Sequence, residues 1–370
     1  MNTSLTNPLP TPLTQTDRLN WLRLIRSRRV GPATFFRLLD EHGSAEAALD
    51  FLPQIARDAG VSAYSTFSHK AAYDELTNGT AMGLKLLCFA DPEYPELLSH
   101  IPDPPPILWA MGDITLLNRP TIAIVGARNA SSLGTRMTRK LVTDLSAEGF
   151  VIASGLARGI DAAAHTAALP TGTIAVQAGG VDVVYPRENA ALHDDIAAQG
   201  VRISENALGL IPQARHFPQR NRIIAGVAQA TLVVEGAIPS GSLITARDAI
   251  DLGRDVMAIP GNPMDPRAAG CNALIRDGAT LIRSAQDVID TLIAPEPIAP
   301  SAPKQRTLAL TPPDQIATKI LTLLGPTAVP EDSLIRDVGL PASEIAPHLT
   351  TLELEGKIHR RPGGLLALAV

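Results

Sequence analysis

Two short turns near the middle of the sequence combine glycine with arginine, a pairing suited to binding an anion. The first turn contains Gly126, Ala127 and Arg128, and the second contains Gly155 and Arg158. A glycine lets a ligand approach the backbone closely, and a helix that starts after the turn offers free N–H groups and the positive end of its dipole. Each arginine adds a fixed positive charge. The two turns therefore predict a phosphate-binding edge of an α/β sheet, where the loops that follow parallel strands converge.

A third segment places cations beside an aromatic ring. Arg215, Phe217, Arg220 and Asn221 lie within the sequence RHFPQRNRIIAG, and residues 207–234 contain no Asp or Glu. An aromatic face can stack on nucleobases, while arginine and asparagine donate hydrogen bonds to phosphate. A solvated charged loop is the alternative interpretation. The combination favours a local anion-binding surface within an acidic protein.

A loop of small residues, with Gly241 and Ser242, precedes a further helical pattern and offers another set of amides to an anion. Glu235 ends the strand before this loop, and we predict that it holds a nearby arginine rather than acting as an active carboxylate. Arg222 lies nearest the apolar part of its segment. We predict that Arg222, more than the other two arginines there, is structural and supports the loop through carbonyl groups.

Asp161 and His165 are four residues apart, a spacing that would suit a metal pair or an acid–base dyad. No third ligand follows at a recognisable spacing. We predict instead that Asp161 caps the turn and that His165 packs beneath it. Asp182, after Gly179 and Gly180, is predicted to shape the same edge rather than react. We therefore assign no catalytic residue, no metal and no cofactor.

The composition excludes several classes of protein. The chain has 370 residues, a hydrophobic fraction of 45% and a net charge of −5, which argues against coating nucleic acid through overall positive charge. No apolar run is long enough to span a membrane, and the N-terminus lacks a basic region followed by an apolar one, so we expect no membrane segment and no secretory signal. With Cys88 and Cys271 as the cysteines, a disulfide framework is excluded and a cytoplasmic location is expected.

Changes in pattern divide the chain into four parts. We predict a helical domain over residues 1–90, an α/β domain over 91–293, a proline-rich linker over 294–313 and a winged-helix domain over 314–370. A Val-Gly-Pro turn at residues 30–32 looks like a helix-hairpin-helix or SAM-like element. We predict that it is a packing unit, with binding of a nucleic-acid backbone through the amides of the turn as the alternative.

Short apolar runs alternate with helical patterns through the α/β domain, which is typical of a parallel sheet covered on both faces. The fold class is therefore α/β, with a Rossmann-like, doubly wound, mainly parallel sheet. In the part of the chain before the sheet, we expect helices as far as residue 87 and extended chain over the proline-rich residues 91–106. We expect the arginine-rich segment to be a loop, with its helix beginning at Arg222.

Five motifs together resemble the DNA-processing protein A family (DprA, also called Smf). They are V-G-A-R, S-G-L-A-R-G-I-D-x-x-x-H, F-P-x-R-N-R-I-I-A-G, S-G-S-L-I-T-A-R and A-I-P-G-N, in this order over residues 91–292. The usual first loop of the family is G-S-R, whereas Ala127 here replaces the serine and removes its hydroxyl. The residues that the resemblance implies for a DNA-binding pocket are Gly126, Arg128, Arg158, Arg215, Phe217, Arg220 and Asn221.

The resemblance implies a cytoplasmic protein that binds single-stranded DNA, assists loading of the RecA recombinase and protects incoming DNA during natural transformation. It also implies a homodimer formed through the Rossmann-like domain. A nucleotide-processing hydrolase of the lysine-decarboxylase-like group is the main alternative, but residues 238–247 lack the acid that such enzymes need. A nicotinamide dehydrogenase is disfavoured because the first loop lacks Gly-x-Gly-x-x-Gly spacing, and a pure protein scaffold is disfavoured by the acid-free arginine segment.

Overall fold

The structure is a computed structural model that divides into two compact units, Met1–Pro295 and Glu296–Val370. The residues that it describes are 14–61, 63–292, 313–325, 328–361 and 364–369. The start of the chain, on which the expectation about a secretory signal depends, and residues 294–312 of the predicted linker lie outside these ranges. The domain limits at residues 90, 293 and 313 stay predictions.

A layer of helices opens the first unit. The helices are α1 Gln15–Arg26, α2 Pro32–His42, α3 Ala45–Asp58 and α4 His69–Ala81. Thr14 and Asp17 form a capping box that starts α1, and Gly31 followed by Pro32 starts α2. The buried side chains of α1 and α2 form a core with α3, so the predicted helical hairpin is confirmed. The indole of Trp109 donates to Glu75 on α4 at 2.9 Å, which ties this layer to the sheet.

Within the described residues, nine strands form one sheet in the order β1-β2-β6-β5-β4-β3-β7-β8-β9. The strands are β1 Lys85–Cys88, β2 Ile107–Gly112, β3 Thr121–Val125, β4 Val151–Ser154, β5 Thr173–Val176, β6 Val201–Ser204, β7 Ala230–Val233, β8 Asp255–Ala258 and β9 Thr280–Leu281. The run from β6 to β9 is parallel, and β2 and β1 add two antiparallel strands at one edge. The prediction of helix as far as residue 87 was wrong for β1, because pairing with β2 outweighs the local pattern.

Helices cover both faces of the sheet. They are α5 Glu96–Ser99, α6 Ser132–Ala147, α7 Ile160–Ala168, α8 Ala190–Gln199, α9 His216–Gly226, α10 Gly241–Asp251, α11 Ala269–Arg276 and α12 Ala285–Leu292. Short 3-10 turns cover Ile114–Asn118, Leu169–Thr171, Arg187–Asn189 and Pro266–Ala268. On β3, Ile122 and Ile124 belong to one core, while Ala123 and Val125 belong to the core on the opposite face. The Rossmann-like, doubly wound prediction is confirmed.

Two local predictions differ from these helices. The proline-rich residues 91–106 contain the short helix α5, which was not expected there. The arginine-rich segment is not a loop, since α9 begins at His216 and contains Phe217, Arg220 and Asn221. Pro218 is compatible with this because a proline in the first helical turn has no intrahelical hydrogen bond to lose.

The strand order reverses at β3, which has β4 on one side and β7 on the other. The chain moves outwards from β3 through β4, β5 and β6, and then returns to continue through β7, β8 and β9. In an open parallel sheet, the connections at such a reversal leave a crevice beyond the carboxyl ends of the strands. The site predicted from the sequence lies at this edge.

The second unit is a small domain of helices and strands. Its elements are α13 Pro313–Leu323, β10 Val329–Pro330, α14 Glu331–Val338, α15 Ala342–Leu354, β11 Ile358–Arg361 and β12 Leu365–Leu368. The strands pair in the order β10-β12-β11, and the helices pack on them around a common apolar core. The predicted winged helix is confirmed. In the described parts of both units, every helix is too short or too polar to cross a lipid bilayer.

Candidate functional site

Two adjoining cavities lie at the carboxyl edge of the sheet. The first, the β3–β7 cavity, has a volume of about 540 Å³, and the second, the β4–β5 cavity, has a volume of about 630 Å³. The side chains of Arg128, Ala157 and Phe217 line both cavities. The predicted site residues along the β3–β7 cavity are Gly126, Ala127, Arg128, Phe217, Arg220, Asn221, Gly241 and Ser242. Gly155 and Arg158 line the β4–β5 cavity, whereas Arg215 lines neither.

Phe217 stands at the boundary between the cavities with its ring half-buried. The guanidinium of Arg128, whose side chain is exposed, lies over this ring at 5.3 Å from its centre. The ring of Tyr185 also packs against Phe217, with a ring separation of 5.5 Å and an angle of 50°. Tyr185 was not among the predicted site residues, although the preceding glycine turn was recognised. The arrangement offers aromatic surface next to an exposed cation.

Arg220 lies in the site but is buried, with 5% of its surface exposed. Its Nη1 donates to the carbonyl oxygens of Gly155 at 2.7 Å and of Val176 at 2.6 Å. A Cβ on residue 155 would lie 2.3 Å from that nitrogen, so Gly155 makes room for the arginine rather than for a ligand. Burial lowers the pKa of Arg220 to about 10, with Asp161 opposing the shift and Arg128 adding to it. Arg220 therefore keeps its charge at neutral pH and ties α9 to the loop after β4 and the end of β5.

Arg222 lies on the other side of α9 from Arg220, because residues two positions apart are rotated by about 200° around the helix axis. It forms ion pairs with Glu205 at 2.7 Å and with Asp103 at 3.0 Å. The prediction that Arg222 is structural is confirmed, but its partners are carboxylates. The carbonyl contacts expected of Arg222 belong to Arg220 instead.

The start of α6 is occupied by protein groups. The carboxylate of Glu235 accepts from the backbone N–H of Ser131 at 2.9 Å and from its hydroxyl, and the same hydroxyl accepts from Gly134 N–H. The prediction that Glu235 holds an arginine was wrong, because the carboxylate complements the positive end of the α6 dipole instead. The negative charge of Glu235 therefore occupies the helix start at which the sequence suggested an anion.

Backbone amides of the loop after β4 also have acceptors inside the protein. The N–H of Leu156 donates to Nε2 of His165, and the N–H of Ala157 donates to Asp161, each at 3.3 Å. The predicted structural roles of Asp161 and His165 are confirmed. Asp182 accepts from Gly209 N–H at 3.0 Å and so holds a neighbouring loop, as expected.

Free backbone donors remain in two other places along the β3–β7 cavity. In the part of the chain that the structure describes, the amides of Ala127, Arg128 and Asn129 have no intramolecular acceptor, and neither do those of Gly241 and Ser242 at the start of α10. The side chain of Asn221 donates to the carbonyl of Gly241 at 3.3 Å and so positions that helix start. These amides and Arg128 are the groups available to a phosphate.

Arg158 is 60% exposed and lies 3.6 Å from an equally exposed Glu188. Such a surface pair is weak, so an anion can compete for the arginine. Among the described residues, no three His, Cys, Asp or Glu side chains are grouped closely enough to hold a metal ion.

Acid is expected to destabilise the fold through His165. Burial, helped by the nearby Arg220, lowers the pKa of His165 to about 3, whereas the unfolded chain binds this proton below about pH 6.5. Stability attributable to His165 therefore decreases as the pH falls from 6.5 towards 3, by up to about 1.4 kcal/mol per pH unit. Denaturant unfolding at pH 7 and pH 5, for the wild type and His165→Gln, measures this effect.

The wild type is expected to lose more stability than His165→Gln over that interval. The comparison separates His165 from Asp161, whose pKa is raised by burial and whose titration acts in the opposite direction. Equal losses in the two proteins would contradict the assignment.

Three protein-family models match consecutive parts of the chain. The model described as DNA recombination-mediator protein A matches residues 85–293, which is more than half of the sequence. The DprA-like N-terminal HHH domain matches residues 15–77, and the DprA winged helix domain matches residues 291–364.

Individual proteins agree with these matches. Protein Smf of Synechocystis is 32% identical over 95% of this chain and 98% of its own length. The X-ray structure of DNA processing protein A from Streptococcus pneumoniae has a TM-score of 0.55 and 41% identity, covering 60% of this chain and 80% of that one. A structure of DNA processing protein A from Helicobacter pylori, described for its single-stranded DNA binding mode, has a TM-score of 0.53 and 30% identity. The match covers 56% of this chain and 95% of that one.

Proposed function

The chain belongs to the DNA recombination-mediator protein A family, DprA or Smf, and we propose that it binds single-stranded DNA without sequence preference. The proposed site is the edge formed by the β3–β7 and β4–β5 cavities. The observation that carries the proposal is the half-buried ring of Phe217, which lies beneath Arg128 and beside unpaired backbone amides.

The chemistry of this edge suits a single strand. Amides and guanidinium groups bind phosphate oxygens irrespective of the base, and an aromatic ring stacks on any base. In duplex DNA the faces of the bases are stacked on one another and are not free to meet Phe217. A strand with unpaired bases therefore gains both kinds of contact, whereas a duplex gains only the contacts to phosphate.

The direct donors that we propose are Arg128, Arg158 and the amides of the first glycine loop and of Gly241 and Ser242. Gly126 lets that loop pack closely, since a Cβ there would lie 2.6 Å from Ile160. Within the site, Arg220 and Asn221 position the loops, and Gly155 accommodates Arg220. Arg215 is exposed outside the cavities and contributes through its charge.

The family also supports proposals about partners. We expect the protein to assist RecA loading during natural transformation, to form a homodimer through the Rossmann-like domain and to act in the cytoplasm. Mixing the protein with RecA on single-stranded and double-stranded DNA, followed by electrophoresis, tests the first expectation, and sedimentation equilibrium tests the second. RecA–strand complexes that form equally well without the protein would argue against a loading role.

We propose a binding role without catalysis. The alternative hydrolase needs a carboxylate that reaches its substrate, yet residues 238–247 contain no acid and Glu235 is engaged by Ser131. Incubation of the protein with nucleotides and nucleoside monophosphates distinguishes the two functions. Turnover of any of them would favour the hydrolase.

Replacing Arg128 with alanine tests the proposed strand contact. We expect weaker binding of single-stranded DNA and a slope of log K against log salt that is smaller by about 0.7, the value for one phosphate contact on a single strand. Fluorescence anisotropy at several salt concentrations measures both quantities. Arg57→Ala is the matched control, because Arg57 is exposed on α3 and bonded to Gln54. An Arg128→Ala slope equal to that of the control would contradict the proposal.

A further inference from the structure

The most basic acid-free stretch of the chain is not the arginine-rich segment of α9. Residues 114–143 contain no Asp or Glu but five cations, Arg119, Arg128, Arg136, Arg139 and Lys140. On α9, by contrast, Arg220 and Arg222 are engaged by protein carbonyls and carboxylates. The larger supply of uncommitted positive charge therefore lies along α6.

Two of these cations share one exposed face of α6. Ser132, Arg136, Arg139 and Thr143 are all exposed, and their spacing of four, three and four residues places them on one side of the helix. Leu141, on the opposite side, is buried against the sheet. We name Arg136 and Arg139, with Ser132 and Thr143, the α6 basic face.

The charges of the α6 basic face are not neutralised within the structure. In the described part of the chain, neither Arg136 nor Arg139 has an ion pair or a side-chain hydrogen bond. The neighbouring Lys140 differs, because it pairs with Asp144 at 2.9 Å. An exposed pair of arginines without carboxylate partners attracts a polyanion.

The α6 basic face continues directly from the proposed DNA-binding site. The loop that contains Arg128 leads into α6, and Arg136 and Arg139 lie about 6 Å and about 10 Å along the helix axis from Ser132. Because Glu235 already caps the start of α6, an approaching polyanion is attracted by the arginine side chains and not by the helix start. Leu133, which is 68% exposed, adds an apolar contact between the loop and Arg136.

We propose that the α6 basic face binds the continuing sugar–phosphate backbone of the single strand held at the edge of the sheet. Arg136 and Arg139 each bind one phosphate, and Leu133 packs against an unstacked base or sugar. A single strand suits the face better than a duplex, because a duplex presents no free base to Leu133. This inference rests on the function proposed above and extends its site beyond the two cavities.

The test compares strands of two lengths. Arg136→Gln combined with Arg139→Gln is expected to weaken binding of a strand of about 30 nucleotides by about tenfold near 0.1 M salt and to lower its salt slope by about 1.4, twice the value for one single-strand phosphate. Binding of a strand of about five nucleotides, which fits the cavities alone, is expected to stay unchanged. Arg57→Gln combined with Lys70→Gln removes the same charge from exposed positions on α3 and α4 and serves as the control. Both variants alter exposed side chains, and their unfolding curves are expected to match that of the wild type.

Two results would overturn the inference. The double arginine variant could lose affinity equally for the short and the long strand, or its affinity for the long strand could match that of the control variant. Failure of the proposed function is distinguishable, because the wild-type protein would then fail to bind the short strand as well as the long one. That result would overturn both proposals together.

Discussion

Replacing Arg220 with alanine is expected to lower the free energy of unfolding by about 3–5 kcal/mol, the range for removing one member of a buried charged network. The change leaves the carbonyls of Gly155 and Val176 without their donor and leaves Asp161 buried without a nearby positive charge. Denaturant unfolding monitored by circular dichroism measures the loss. We also expect weaker DNA binding, because the loop after β4 is no longer held.

Arg158→Ala is the matched comparison for Arg220→Ala. Both arginines lie at the same edge, but Arg158 is exposed and forms only a long pair with Glu188. Its removal is expected to change stability by less than about 1 kcal/mol while weakening DNA binding. If Arg220→Ala unfolds at the same denaturant concentration as Arg158→Ala, the buried contacts of Arg220 do not stabilise the fold.

Replacing Phe217 with alanine is expected to cost about 1–3 kcal/mol of binding free energy for the base that stacks on it, or about 5-fold to 150-fold in affinity. The ring is half-buried and is in contact with both Arg128 and Tyr185, so it is oriented before DNA arrives. Titration with a labelled homopolymer strand measures the loss. Because stacking tolerates any base, the loss is expected to be similar for different sequences.

Two further variants separate stacking from packing. Phe217→Trp retains an aromatic face and is expected to bind nearly as tightly as the wild type. Phe217→Leu retains apolar volume without a ring and is expected to resemble Phe217→Ala in binding. If Phe217→Leu binds like the wild type, Phe217 acts by packing α9 and not by stacking on a base.

Much of the fold follows from local pattern. Strands such as β3 and β4 are short and continuously apolar because they are buried on both faces, and this distinguishes them from the amphipathic helices between them. The helical patterns between these strands correspond to observed helices such as α7, Ile160–Ala168. Local pattern failed for β1, where Lys85–Cys88 is a strand only because β2 pairs with it. It also failed at the start of α9, which was predicted at Arg222 and lies at His216, with Pro218 in a first turn that tolerates proline.

The residues at the edge of the sheet were predictable as a set, since loops after parallel strands must meet there. Their individual roles were not. Arg220 and Arg222 are both arginines in one acid-free segment. The side of α9 to which each side chain points decides which of them contacts carbonyls and which contacts carboxylates.

The alternation of strands and helices from β3 onwards, the family and the edge at which anion-binding groups gather could be read from the sequence, because they depend on periodicity and on motifs that are continuous in the chain. Which of these groups remain free depends on the tertiary structure. Glu235 accepts from Ser131, the N-cap of α6, 104 residues earlier, and Arg220 fills the space beside Gly155, 65 residues away. Such partners are set by packing between distant segments, so the available amides and the uncommitted arginines of α6 became apparent from the fold alone.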